Sequence, residues 1–104
     1  MGTSVGYQEY VSMPQLSIHA GSRMGSRHIS YDDVLAVMSY GKTHYVRGAI
    51  IFALGHREAE LCRNDGIHAD RIEGLQVVCA QDDHTVITVY RNNDFSSLRR
   101  RKHR

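Results

Sequence analysis

Residues 30–41 predict a helix with two well-marked ends. Ser30 is an N-cap residue and Asp33 stands three positions later, which is the spacing of a capping box. Ile29 and Val34 hold the positions of a hydrophobic staple across the same start. Apolar residues follow at helical intervals, and Gly41 is placed to end the helix. We interpret this helix as scaffold, and it fixes where the neighbouring segments must begin.

Four strands are predicted after this helix, arranged as two hairpins. The first hairpin pairs residues 42–46 with 49–54, and the second pairs residues 75–80 with 85–91. Between them, residues 56–65 favour a short helix, and continuation of the strand past Gly55 is the alternative.

Alternation along the last strand predicts which of its residues face the helices. Ile87 and Val89 fall on the face expected to lie under the helices, and Thr88 and Tyr90 fall on the opposite, open face. Two helices followed by hairpin-connected strands do not easily form a parallel sheet. The expected fold class is therefore α+β: two N-terminal helices packed on one face of an antiparallel sheet of about four strands, with a short additional helix.

The first of those helices is predicted over residues 18–28, with Ser17 as its N-cap. His19, Arg23 and Arg27 are spaced four residues apart and therefore lie in one row along one helix face. An imidazole and two permanent positive charges in one row suit a phosphate-handling surface, whereas ordinary solvated charges are the alternative.

Two glycines, Gly21 and Gly25, lie in the same helix. Each lowers helix stability by about 1 kcal/mol relative to alanine. We therefore expect another backbone to pack tightly against them.

The positive charge of the chain is concentrated at its C terminus. Residues 99–104 carry five of the 13 Lys and Arg residues, whereas residues 1–98 hold 8 Lys or Arg against 11 Asp or Glu. We predict a disordered basic tail over residues 96–104, which either binds a polyanion such as RNA or is a solubilising terminus. Residues 1–16 are predicted to form an N-terminal arm, and residues 17–95 a single small domain.

Composition excludes several functional classes. No apolar run approaches a membrane span, and the first residues lack the pattern of a secretory signal. The two cysteines have no local pairing pattern, so we expect a reducing cytoplasm. The histidines and cysteines lack metal-ligand spacing, and there is no glycine-rich phosphate loop, so we expect neither a metal nor a cofactor.

Two motifs point to a known family. The first is residues 17–30, Ser-x-His-Ala-x-x-Arg-Met-x-x-Arg-x-Ile-Ser, followed by Asp33-Val34, and the second is residues 86–91, Val-Ile-Thr-Val-Tyr-Arg. Over roughly residues 16–91 the chain resembles a family of small bacterial and archaeal domains of unknown function. That family is similar in architecture to the RelE-like toxins of the barnase, colicin and RelE ribonuclease group. The chain departs from it at residues 81–84, where relatives usually carry a glycine turn.

The resemblance implies a helix pair on an antiparallel sheet, metal-independent cleavage of RNA and an antitoxin protein as partner. Such cleavage needs a proton carrier and fixed positive charge at the phosphate. We assign His19 as general base or acid, Arg23 and Arg91 as phosphate clamps, and Thr88 and Tyr90 as supporting groups. Arg91 alternates away from Thr88 and Tyr90 unless the strand end bends.

Further RNA contacts are predicted from the remaining basic residues. These are Arg27, Arg47, Arg99, Arg100, Arg101 and Lys102, while His28, His44 and Arg47 are reserve candidates for the catalytic assignment. The expected function is that of a metal-independent endoribonuclease, similar to a toxin domain. A non-catalytic nucleic-acid-binding module that uses the tail, and a protein-interaction domain that uses the helix row, are the alternatives.

Overall fold

The computed structural model describes residues 14–91, which form three helices and four strands. The helices are α1 (Ile18–Ser26), α2 (Tyr31–Tyr40) and α3 (His56–Asn64). The strands are β1 (Lys42–Val46), β2 (Ala49–Ala53), β3 (Leu75–Ala80) and β4 (Val86–Arg91). The expected α+β class is confirmed. Most of the predicted arm, and the whole of the predicted tail, lie outside the described residues.

The predicted starts of the first two helices and the predicted end of the second are confirmed by their hydrogen bonds. The Ser17 hydroxyl accepts from the backbone N–H of Ala20 at 3.0 Å. Ser30 and Asp33 form the reciprocal capping box, and Gly41 follows the last residue of α2. The helix α1 ends at Ser26, two residues earlier than expected.

The short third helix is also present, so the alternative of a continued strand past Gly55 is wrong. The backbone N–H of Gly55 donates to Glu58 Oε1 at 3.0 Å and starts the helix. At the other end, the N–H of Ile67 reaches back to the carbonyl of Cys62 at 2.9 Å, across Gly66 in a left-handed conformation. In residues 14–91 no helix is long and apolar enough to cross a membrane.

The four strands form one antiparallel sheet in the order β1-β2-β3-β4. The pairing of β3 with β4 shifts at one point: Val78 pairs with Thr88, but its neighbour Cys79 pairs with Val86. Ile87 is therefore an extra residue, a β-bulge, in β4.

This bulge corrects one predicted orientation. Val89 is fully buried as expected, but Ile87 is 39% exposed, and Val86 is fully buried in its place. The extra residue interrupts the two-residue alternation, so the side chains before and after it no longer follow one period.

The main core lies between the sheet and the three helices. All three helices contribute buried side chains to it, and β3 contributes Leu75, Val77 and Cys79. The opposite sheet face carries a small separate cluster around the buried residues Ile51 and Ala53. Thr88 and Tyr90 lie on this second face, where both are half-buried.

Among residues 14–91 the two glycines of α1 have no close packing partner, contrary to expectation. A Cβ atom built on Gly21 or Gly25 meets nothing within 4 Å. The opposite holds for Gly41, where a Cβ would lie 2.5 Å from the carbonyl oxygen of Val37. The close backbone approach is therefore at the joint between α2 and β1.

Candidate nucleic-acid interface

The exposed flank of α1 carries the predicted row of basic side chains. Ala20 and Met24 turn into the core, which leaves His19, Arg23 and Arg27 along one side of the helix. His19 and Arg27 are exposed and Arg23 is half-buried. Because α1 contains no acidic residue, no carboxylate of the helix itself offsets this charge.

His19 and Arg23 contact one another. The Nε–H of Arg23 donates to Nε2 of His19 across 3.4 Å, a long hydrogen bond between exposed groups. In this contact Nε2 of His19 is the hydrogen-bond acceptor. The contact brings an imidazole and a guanidinium group together on one surface.

The first turn of α1 is fastened to the outer edge of β4. The N–H of Ser17 donates to the carbonyl of Val86 at 2.9 Å, and the N–H of Val86 donates to the carbonyl of Gln15 at 2.7 Å. The Ser17 hydroxyl donates to the carbonyl of the bulged residue Ile87 at 2.9 Å. Residues 15–17 therefore occupy the free side of β4, and the bulge is where they attach.

The five residues assigned to catalysis do not share one face of the sheet. Thr88 and Tyr90 lie on the second face, whereas Arg91 pairs with Leu75 and points to the helix-bearing face. The Arg91 guanidinium donates to two backbone carbonyls, those of Glu73 at 3.0 Å and Arg71 at 2.6 Å. The strand end therefore does not bend to join Arg91 with Thr88 and Tyr90. Among the five, the structure brings His19 and Arg23 into contact.

Arg71 is a basic residue near α1 that the sequence analysis did not select. Its Nη2 donates to the carbonyl of His28 at 2.8 Å and lies 3.5 Å from Asp33 Oδ2. The side chain is 67% exposed, and its charge is offset by Asp33. No sequence signal identifies it, because His28 and Arg71 are 43 positions apart.

Carboxylates are concentrated instead around α3 and the loop that follows it. Arg63 pairs with Glu60 at 3.0 Å, Asp70 at 2.9 Å and Glu73 at 3.2 Å. The hydrogen bonds from Arg63 and His56 hold the pKa of Glu73 below its ordinary value. Arg63 is thus neutralised within the protein.

The α1 arginines differ from Arg63 in this respect. No carboxylate of residues 14–91 lies within ion-pair distance of Arg23 or Arg27. Within the part of the chain that the structure describes, their charge is therefore not offset by a carboxylate.

A cavity of about 300 Å³ opens beside α3, away from the row on α1. It is lined by Arg63, Gly66, Ile67, His68, Ala69 and Asp70. None of the residues predicted to act on RNA lines it.

The remaining predicted RNA contacts are dispersed. Arg47 is exposed in the turn between β1 and β2, and residues 99–102 lie outside the described range. Within residues 14–91 there is no group of three or more His, Cys, Asp or Glu side chains arranged to hold a metal ion.

Comparisons of the chain with protein-family models, with curated proteins and with solved structures find no match.

Proposed function

We propose that this domain binds RNA through the basic row on α1, formed by His19, Arg23 and Arg27. The observation that carries the proposal is the pair of arginines on an acid-free helix face, without a carboxylate partner in residues 14–91. Guanidinium groups donate planar pairs of hydrogen bonds that fit phosphate oxygens. Arg71 is not part of this row, because its guanidinium is paired with Asp33.

Binding of this kind depends on salt in a predictable way. Each phosphate neutralised on a single strand contributes about −0.7 to the slope of log affinity against log salt. Two arginines therefore predict a slope near −1.4, which is roughly a sevenfold loss of affinity between 50 and 200 mM salt.

The test compares two single variants by fluorescence anisotropy with a labelled single-stranded RNA over that salt range. Arg27→Gln should weaken binding at low salt and reduce the slope by about 0.7. Arg57→Gln removes an exposed arginine of α3 that also has no ion pair in residues 14–91, so it is the matched control. Equal behaviour of the two variants would refute the proposal.

A truncation after residue 98 separates this surface from the tail. In the shortened chain, Arg27→Gln should still reduce the slope of log affinity against log salt by the same amount as in the full chain. A slope that vanishes entirely on truncation would assign the binding to residues 99–104 instead.

Metal-independent cleavage of RNA is the second candidate, and the contact between His19 and Arg23 favours it. On binding, Arg23 turns its N–H groups from the ring to the phosphate, which frees Nε2 to take the proton of a ribose 2′-hydroxyl. The 2′-oxygen then bonds to phosphorus, and the bond to the 5′-oxygen breaks. The leaving 5′-oxygen takes a proton from water, the hydroxide so formed takes the proton from His19 and becomes water again, and a 2′,3′-cyclic phosphate remains.

Cleavage has less support than binding, because Arg91 is bonded to carbonyls and Thr88 and Tyr90 lie on the other sheet face. Total RNA incubated in EDTA with the protein, His19→Ala or the control His84→Ala would decide the point. Loss of cleavage in His19→Ala alone supports this candidate, and equal cleavage by all three refutes it. An antitoxin, which the family resemblance implies, would then inhibit by covering His19.

A further inference from the structure

We propose that the outer edge of β1 binds an extended, acidic segment of a partner protein, which adds to the sheet as a fifth strand. This inference does not depend on the function proposed above. It rests on an edge that no segment of residues 14–91 pairs with, on the direction of its backbone groups and on its charge.

The two edges of the sheet differ in what occupies them. Residues 15–17 pair along β4, as the bridge between Leu16 and Val86 shows. By contrast, no segment of residues 14–91 pairs with the outer side of β1, whose inner side pairs with β2. Lys42 and Thr43 are exposed there, and Tyr45 is 71% exposed.

The hairpin fixes which backbone groups are available on that edge. Val46 pairs with Ala49 across the two-residue turn, so this closing pair is hydrogen-bonded within the hairpin. Alternation then directs the N–H and C=O groups of Thr43 and Tyr45 outward. An added strand can bond to these groups without disturbing the pairing of β1 with β2.

Charge determines what kind of strand fits. Residues 34–57 contain no Asp or Glu, while Lys42 and Arg47 stand at the two ends of β1. Neither forms an ion pair with a carboxylate of residues 14–91. Opposite charges across neighbouring strands are stabilising, so acidic residues in the added segment are favoured.

The same charges argue against a second copy of this chain. Antiparallel self-pairing centred on His44 would place Arg47 of one copy opposite Gly41 of the other, next to Lys42. The two-fold symmetry would create this repulsive contact twice. A lysine on an edge strand is also a common means of preventing such association.

The partner can be represented by a synthetic peptide of seven residues that alternates Glu with Thr or Val. We expect it to shift the backbone amide signals of Thr43 and Tyr45 in NMR spectra of the full chain. A peptide N-methylated at alternate residues, on its pairing edge, should not bind, because it cannot donate to the exposed carbonyls. A peptide with Lys in place of Glu should bind at least tenfold more weakly.

Two protein variants test the role of charge on this edge. The double variant Lys42→Glu, Arg47→Glu should weaken binding of the acidic peptide about tenfold, as expected for two partly exposed charge pairs. Arg57→Glu, from the same acid-free run, should leave the affinity unchanged.

Four results would overturn the proposal. They are the absence of peptide binding at millimolar concentration, equal binding of the N-methylated peptide, self-association through β1, and displacement of the peptide by RNA. Displacement would assign the charge of this hairpin to nucleic acid.

Discussion

Replacing Gly41 with alanine should destabilise the fold, whereas the same replacement at Gly25 should not. The new Cβ would lie 2.5 Å from the carbonyl oxygen of Val37 and 3.2 Å from both the N and O atoms of Ala53. All three are backbone atoms, so no side chain can rotate to make room. The Val37 oxygen also accepts the Gly41 N–H at 2.7 Å, which ends α2.

The size of the expected loss in the free energy of unfolding follows from this contact. Ordinary contact begins near 3.4 Å, so the added carbon overlaps the Val37 oxygen by almost 1 Å. Overpacking against a rigid neighbour costs about 3 kcal/mol at the upper end of its usual range. The lower backbone entropy of alanine in the unfolded chain offsets roughly 0.5–1 kcal/mol. We expect a net loss of about 2 kcal/mol.

Gly25→Ala is the matched control, because the same methyl group there meets no atom of residues 14–91 within 4 Å. Since Gly25 lies inside α1, alanine should stabilise the fold by roughly 0.5–1 kcal/mol. Urea unfolding followed by circular dichroism gives both values, with unchanged m-values as the condition for comparing them. The reasoning would be refuted if Gly41→Ala were as stable as the parent protein, or more stable than Gly25→Ala.

Two further predictions concern the titratable groups. Glu73 has a lowered pKa because Arg63 and His56 donate hydrogen bonds to its carboxylate. The contribution of Glu73 to stability is therefore complete above its ordinary pKa of 4.5, and it is lost as the pH falls through the lower pKa of the folded state. Glu73→Gln should therefore flatten the loss of stability measured by urea unfolding between pH 7 and pH 3, and an unchanged pH slope would contradict this. Burial raises the pKa of Cys79 to about 11 and also raises that of Cys62. Neither thiol should therefore react with an aromatic disulfide reagent at pH 8 until the protein is unfolded. Rapid labelling of the folded protein would count against the burial of the two cysteines.

Sequence patterns were sufficient wherever the determining residues are close in the chain. The caps at Ser17 and Ser30, the end of α2 at Gly41 and both hairpins depend on residues within a few positions of one another. Hairpin connections then leave few topologies for the strands, so the α+β class follows from local signals.

Long-range contacts explain what could not be predicted. The bulge at Ile87 coincides with the docking of Ser17, 70 positions earlier, and no glycine marks it in the sequence. The sequence shows that Gly21 and Gly25 lower the stability of their helix, but not whether another backbone packs against them. Among the described residues, the expected backbone neighbour is absent. The contact of Arg71 with His28 likewise joins segments that show no shared pattern.

The geometry of β4 bears directly on the choice between RNA binding and cleavage. The strand carries Thr88 and Tyr90 on one face, while α1 lies on the other, and residues 15–17 occupy the edge between them. An RNA strand seated on Arg23 and Arg27 would have to pass around that occupied edge to reach Tyr90. Binding by the α1 row needs no such path, whereas a catalytic site built from both motifs does. The separation of the two motifs across β4 therefore favours binding as the first function to test.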